Sequence, residues 1–207
     1  MANKKQKAIF LDWAGTVTDF LDVFYEVYKM IVAEIGAKPK SKKQVQRDFT
    51  IPYMKFWHLH FPSLTKKLQD KLFQKFVNQF PLSKPLPNVR ETITALAKYG
   101  WIILVASSDP RERLEKEAKQ IKIYNHITEI ASGLHDKVPA IKKLISKYNI
   151  DTKNSFYIGD TVGDIETGKK IGLRTVAVSI GMNTAKRLKT AKPDYLINDI
   201  KKLLKIL

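Results

Sequence analysis

The chain of 207 residues contains no cysteine. That excludes disulfides, thiolate catalysis and cysteine-bound metal centres, so any metal must sit on oxygen or histidine. No apolar run approaches the roughly 20 residues that span a bilayer, and the start, Met-Ala-Asn-Lys-Lys-Gln-Lys, lacks the apolar segment of a secretory leader. These absences predict a cytoplasmic protein without a membrane partner. Acidic residues are in deficit: 20 Asp and Glu face 37 Lys and Arg, for a formal net charge of +17. The lysines are spread over the helical stretches 38–43, 66–75, 186–192 and 201–205 without the interleaved aromatics of a strand-binding groove. A solvated basic surface that steers anions fits better than a nucleic-acid interface. The length suits one α/β domain with a small insertion, and a monomer or homodimer is expected.

Short apolar or β-branched runs lie at Ala8–Leu11, Ile102–Ala106, Ile127–Ile130, Phe156–Ile158, Thr175–Val178 and Tyr195–Ile197. Such near-continuous runs mark strands buried on both faces. Asn88 with Glu91 predicts a capping box opening a helix that runs to Tyr99 and stops at Gly100. From about residue 86 helix and strand alternate, which predicts an α/β, Rossmann-like, doubly wound parallel sheet. The stretch 20–83 breaks that rhythm with helical periodicity and no strand. It reads as an inserted α-helical cap, with Ser41 and Gln44 as a capping box and prolines at 39, 52, 62 and 81 as punctuation. The predicted core is then 1–19 with 84–207, and the cap is 20–83.

Two acid-bearing loops follow predicted strands: Asp12-Trp13-Ala14-Gly15-Thr16 after the first, and Gly159-Asp160-Thr161-Val162-Gly163-Asp164 after Tyr157-Ile158. Carboxyl ends of strands are where an open parallel sheet gathers its chemistry. Ser107 ends the segment Val105-Ala106-Ser107, and Lys137 stands two residues before Pro139. Each also has a plainer role open to it. Asp12 could begin a turn, Asp160 and Asp164 could cap a helix, Ser107 could be a loop hydroxyl and Lys137 a surface lysine.

Taken together in this order, the four segments resemble the motifs of the haloacid dehalogenase superfamily, whose members combine a Rossmann-like core with a mobile cap. The resemblance implies a Mg²⁺-dependent hydrolase of a small anionic phosphorylated substrate. Asp12 would be the nucleophile that takes up the phosphoryl group. Mg²⁺ would be held by Asp12, Asp160 and the carbonyl of Ala14, with Asp164 acting through a metal-bound water. Thr16 and Ser107 would offer hydroxyls to phosphoryl oxygens, and Lys137 would supply positive charge.

Phosphatases of that superfamily carry a second aspartate two residues after the nucleophile, to protonate the leaving alcohol; here the residue is Ala14. The loop Asp-Trp-Ala-Gly-Thr resembles more narrowly the phosphonoacetaldehyde hydrolase family, in which a cap lysine forms a Schiff base with the substrate aldehyde. Lys55 and His58, in Ile51-Pro52-Tyr53-Met54-Lys55-Phe56-Trp57-His58, match that family's lysine and histidine in spacing. Pro52, Lys137 and the Ser107-Ser108-Asp109-Pro110 loop depart from its pattern. The expected activity is therefore phosphate or phosphonate hydrolysis, with a Lys55 imine, haloacid dehalogenation or a catalytically weak basic binding protein as alternatives.

Overall fold

The computed structural model describes residues 5–207. Residues 1–4, where the predicted core and the basic start begin, lie outside the described residues. Six strands, β1 (Ala8–Leu11), β2 (Ile102–Ala106), β3 (Glu129–Ala131), β4 (Phe156–Gly159), β5 (Arg174–Val178) and β6 (Tyr195–Ile197), form one sheet in the order β3-β2-β1-β4-β5-β6, every pair parallel. Alternation along β1 explains the burial on both sides. Ile9 and Leu11 enter one apolar cluster with Val105 and Ile158, while Ala8 and Phe10 enter another with Leu104 and Tyr157. This strand order reverses direction at β1, and the crevice between the carboxyl ends of β1 and β4 is the ligand-binding place of doubly wound sheets. The register aligns Leu11 with both Val105 and Ile158, so the loops leaving β1, β2 and β4 start at one level.

Between β1 and β2 the chain inserts the helices α1 (Leu21–Glu34), α2 (Lys42–Asp48), α3 (Met54–His60) and α4 (Lys66–Val77), before α5 (Val89–Lys98) returns it to the core. The four inserted helices share their own aromatic cluster, centred on Phe24, Tyr28, Phe56 and Trp57, with Phe24 and Phe49 in edge contact at 5.0 Å. This is the helical cap. The Ser41–Gln44 capping box is present. At Asn88 no side-chain cap forms: the residue is left-handed at φ 62°, and its amide donates to Asp199 at 3.0 and 3.1 Å. An N-cap side chain needs extended backbone to reach the first turn. Strand β3 starts later than expected, at Glu129, because Tyr124–His126 form a 3₁₀ turn.

The remaining helices α6 (Arg111–Ile121), α7 (Lys137–Lys147), α8 (Val162–Ile171), α9 (Ala185–Thr190) and α10 (Leu203–Ile206) complete the core. Trp13 packs with this core cluster rather than with the cap, and its indole N–H donates to Glu117 Oε2 at 2.7 Å. Glu117 also accepts from the Ser83 N–H at 2.9 Å and pairs with Arg113 at 3.2 Å. Arg113 in turn donates to the Pro81 carbonyl at 2.7 Å, so this buried pair holds the strap leading out of the cap. No helix among the described residues is long and apolar enough to cross a membrane.

Candidate active site

Asp12 leaves β1 with its N–H donating to the Ile158 carbonyl at 2.9 Å, which fixes the first loop to β4. Oxygens of Asp12, Asp160 and Asp164 lie within 4.8 Å of one another, all three residues buried. The approach is possible because two glycines flank Asp160. A Cβ on Gly15, itself at φ +82°, would stand 2.0 Å from Asp160 Oδ2. One on Gly181 would stand 2.2 Å from the same oxygen and 2.3 Å from the Gly15 carbonyl. Only glycine tolerates such backbone proximity to a carboxylate. The Met182 N–H donates to Asp160 Oδ2 at 2.5 Å.

Lys137, 4% exposed at the first turn of α7, donates to Asp12 Oδ1 at 2.6 Å and to Asp164 Oδ1 at 2.9 Å. Asp164 also accepts from the Tyr157 hydroxyl at 3.1 Å and, through Oδ2, from the Thr161 N–H at 3.1 Å and its hydroxyl at 2.5 Å. That is the capping box of α8, so Asp164 does cap a helix while facing the cluster. Two of the three buried carboxylates thus share one ammonium, and Asp160 has no cation bonded to it among the described residues. Burial pushes the Asp12 carboxyl up to about 7 despite Lys137, with Asp164 adding to the rise. Burial, then Asp12 and Asp164, likewise hold Asp160 well above the usual carboxylate range. Burial opposes the charge on Lys137, but its two carboxylate partners outweigh this and raise it. Hard oxygen donors with unbalanced buried negative charge fit a divalent cation such as Mg²⁺.

Above this floor lies a cavity of about 260 Å³, closed on the far side by the cap and lined by Asp12, Ala14, Ser107, Lys137, Asp160 and Asp164 among others. Six of the expected site residues therefore meet in one place. Thr16 is fully buried beneath it: its hydroxyl reaches towards Asp160 Oδ1 at 3.5 Å and is absent from the cavity wall. Ser107 reaches the wall, but its hydroxyl donates to Asp109 Oδ2 at 2.8 Å and accepts from the Asp109 N–H at 3.0 Å. Asp109 itself lines the cavity, with its carboxyl raised by burial.

Lys55 is not brought to the site. It is exposed on the outer side of α3, while Tyr53 and Trp57 of the same segment line the cavity. A helix cannot present residues 55 and 57 to one face, so the Schiff-base expectation is corrected on geometry. His58 is exposed and contacts the Leu64 carbonyl at 3.1 Å, and His60 lies 3.2 Å from Asp48. Neither lines the cavity.

The haloacid dehalogenase-like hydrolase profile matches residues 9–178. The chain belongs to this family. Among curated hydrolases of similar sequence, a phosphoglycolate phosphatase of Vibrio cholerae is 26% identical, with 98% of this chain and 97% of that protein covered. The phosphoglycolate phosphatase of Haemophilus influenzae is also 26% identical, but the match spans 61% of this chain and 58% of that protein. Among solved structures, a predicted phosphatase from Clostridium acetobutylicum superposes with a TM-score of 0.83 at 18% identity, covering 98% of each chain. A predicted phosphoglycolate phosphatase from Haemophilus somnus gives 0.79 at 21%, again over 98% of both chains. These neighbours share the fold of a Rossmann-like core with a helical cap.

Three residues that matter to this hydrolase site were not singled out from sequence: Gly181, Asn183 and Asp109. The fully buried Asn183 side chain donates to the Gln46 and Phe49 carbonyls of the cap at 3.0 and 3.1 Å and accepts from the Val162 N–H of α8 at 2.9 Å. The Gly181-Met182-Asn183 run after β5 had a readable signal, a glycine and an asparagine following an apolar strand, but no acid to draw attention to it.

Proposed function

We propose that this hydrolase cleaves small organic phosphate monoesters in a Mg²⁺-dependent reaction, by way of a phosphoryl group carried on Asp12. The observation that supports it most is the floor of the cavity: Asp12 is held through one carboxylate oxygen by Lys137 at 2.6 Å, beside Asp160. The other oxygen is left for attack on phosphorus. The phosphatase names of the similar proteins from Vibrio cholerae and Haemophilus influenzae support the same reaction class.

In this reading Asp12 attacks phosphorus and the bond to the alcohol oxygen breaks. Water then attacks the phosphoryl group on Asp12, releasing inorganic phosphate and restoring the carboxylate. Asp12, Asp160 and the Ala14 carbonyl would hold Mg²⁺, which supplies charge to offset the repulsion between carboxylate and phosphate. Asp164, with both oxygens committed to Lys137, Tyr157 and Thr161, orients Lys137 and would act on the metal only through a metal-bound water. Lys137 balances the charge that spreads over the phosphoryl oxygens. Residues 20–83 form the cap that excludes water from this step.

Ala14 removes the group that would protonate the departing alcohol. Asp109 is the acid suited to replace it: it lines the cavity outside the three-carboxylate cluster, burial favours its protonated form, and Ser107 fixes its carboxyl at 2.8 Å. Dehalogenation is the weaker reading, because the Asp160 and Asp164 pair suits a cation for which that chemistry has no use. Steady-state turnover of p-nitrophenyl phosphate tests the proposal: it should require Mg²⁺ and vanish in Asp12→Asn. Equal turnover by wild type and Asp12→Asn would refute the assignment of the nucleophile.

A further inference from the structure

We infer, on the reading that Asp12 takes up a phosphoryl group, that the cap selects phosphate monoesters of an uncharged alcohol with an apolar or aromatic body. Phe20, Phe24, Phe49, Trp57 and Phe73 of the cap line the cavity, and Met182, whose N–H holds Asp160, extends this apolar lining down to the floor. Ala14 packs against this same cap cluster, so hydrocarbon begins immediately beside the reacting carboxylate. An apolar body placed here gains about 25 cal/mol per Å² of surface removed from water.

Charge points the same way. Among the described residues that line the cavity, the cations are Lys66 and Lys137, against five aspartates at 12, 70, 109, 160 and 164. Lys137 is committed to Asp12 and Asp164. Lys66 is paired with Asp70, which also accepts the Tyr53 hydroxyl at 2.6 Å. A carboxylate on the substrate would therefore enter an acidic cavity with no free cation to meet it, and an unpaired buried charge is strongly disfavoured. A cationic body fares no better, since Lys66 already neutralises the cap acid that could hold it.

The test compares kcat/KM, with Mg²⁺ present, for benzyl phosphate, 2-phosphoglycolate and phosphocholine, whose leaving groups are all alkoxides, with p-nitrophenyl phosphate as a fourth substrate. Benzyl phosphate should lead the other two alkoxide esters by about tenfold or more, the scale on which pockets discriminate by apolar contact. Phe73→Lys, which places a cation in the wall, should narrow the lead over 2-phosphoglycolate by about tenfold, with its melting curve checked against wild type. A lead for 2-phosphoglycolate or phosphocholine overturns the inference and leaves phosphoryl transfer standing. An unmoved ratio in a Phe73→Lys protein that melts like wild type also overturns it. Turnover of none of the four would instead sink the Asp12 reading, and this inference with it.

Discussion

The Lys137 ammonium donates to Asp12 at 2.6 Å while its second bond, at 2.9 Å, goes to Asp164. One cation thereby couples the loop after β1 to the first turn of α8. Lys137→Ala should lower kcat on p-nitrophenyl phosphate by about 10²–10³, the usual cost of losing one group that stabilises developing charge. It should also destabilise the chelated protein by about 3–5 kcal/mol, because it leaves buried carboxylates without their cation. Urea unfolding in EDTA reads the second effect.

The raised Asp12 carboxyl gives the chelated protein a pH dependence of definite sign. The group moves from its ordinary value of 3.8 up to about 7 on folding, chiefly through burial. The folded state binds its proton more tightly than the unfolded state, so this contribution is complete below about pH 4 and is lost as pH rises towards 7. In EDTA, the stability of wild type relative to Asp12→Asn should fall over that window with a slope of up to about 1.4 kcal/mol per pH unit. Mg²⁺ should flatten the slope. A pH-independent difference between the two proteins in EDTA would contradict the assigned shift.

Gly181→Ala should weaken Mg²⁺ binding without unfolding the protein. The added methyl would lie 2.2 Å from Asp160 Oδ2 and 2.3 Å from the Gly15 carbonyl, one a fixed side chain and the other backbone. Asp160 must move, and disturbances of a ligand's surroundings commonly cost about 10- to 100-fold in metal affinity. Isothermal titration with Mg²⁺ measures it directly.

Asp109→Asn separates proton delivery from binding. Turnover of benzyl phosphate, whose alkoxide needs a proton, should fall by about 10²–10⁴. Turnover of p-nitrophenyl phosphate, whose leaving group is stable as an anion, should fall much less. Equal losses on the two substrates would assign Asp109 to holding Ser107 instead.

Most of the fold and half of the chemistry were legible in the chain itself, for physical reasons. Strands buried on both faces leave continuous apolar runs, so β1, β2, β4, β5 and β6 stood out, and β3 was displaced only by a local turn at residues 124–126. Carboxylates at strand ends are visible because they interrupt those runs. Side-chain direction was not visible. Lys55 has the right spacing from Asp12 along the chain, yet the helical period turns it outwards and brings Tyr53 and Trp57 inwards. Thr16 is similarly adjacent in sequence but committed beneath the floor. Gly181 matters through a missing atom, and Asp109 through burial, neither of which a sequence pattern displays.

The carboxamide of Asn183 ties the helical insertion to the core. It is shared between the C-terminal end of α2, at Gln46 and Phe49, and the start of α8, while the backbone N–H of Asn183 donates to the Asp160 carbonyl at 3.1 Å. Lifting this end of α2 would take the buried Asn183 amide from the Gln46 and Phe49 carbonyls, and an unpaired buried donor costs about 1–3 kcal/mol, so the cap is anchored here to the floor of the cavity.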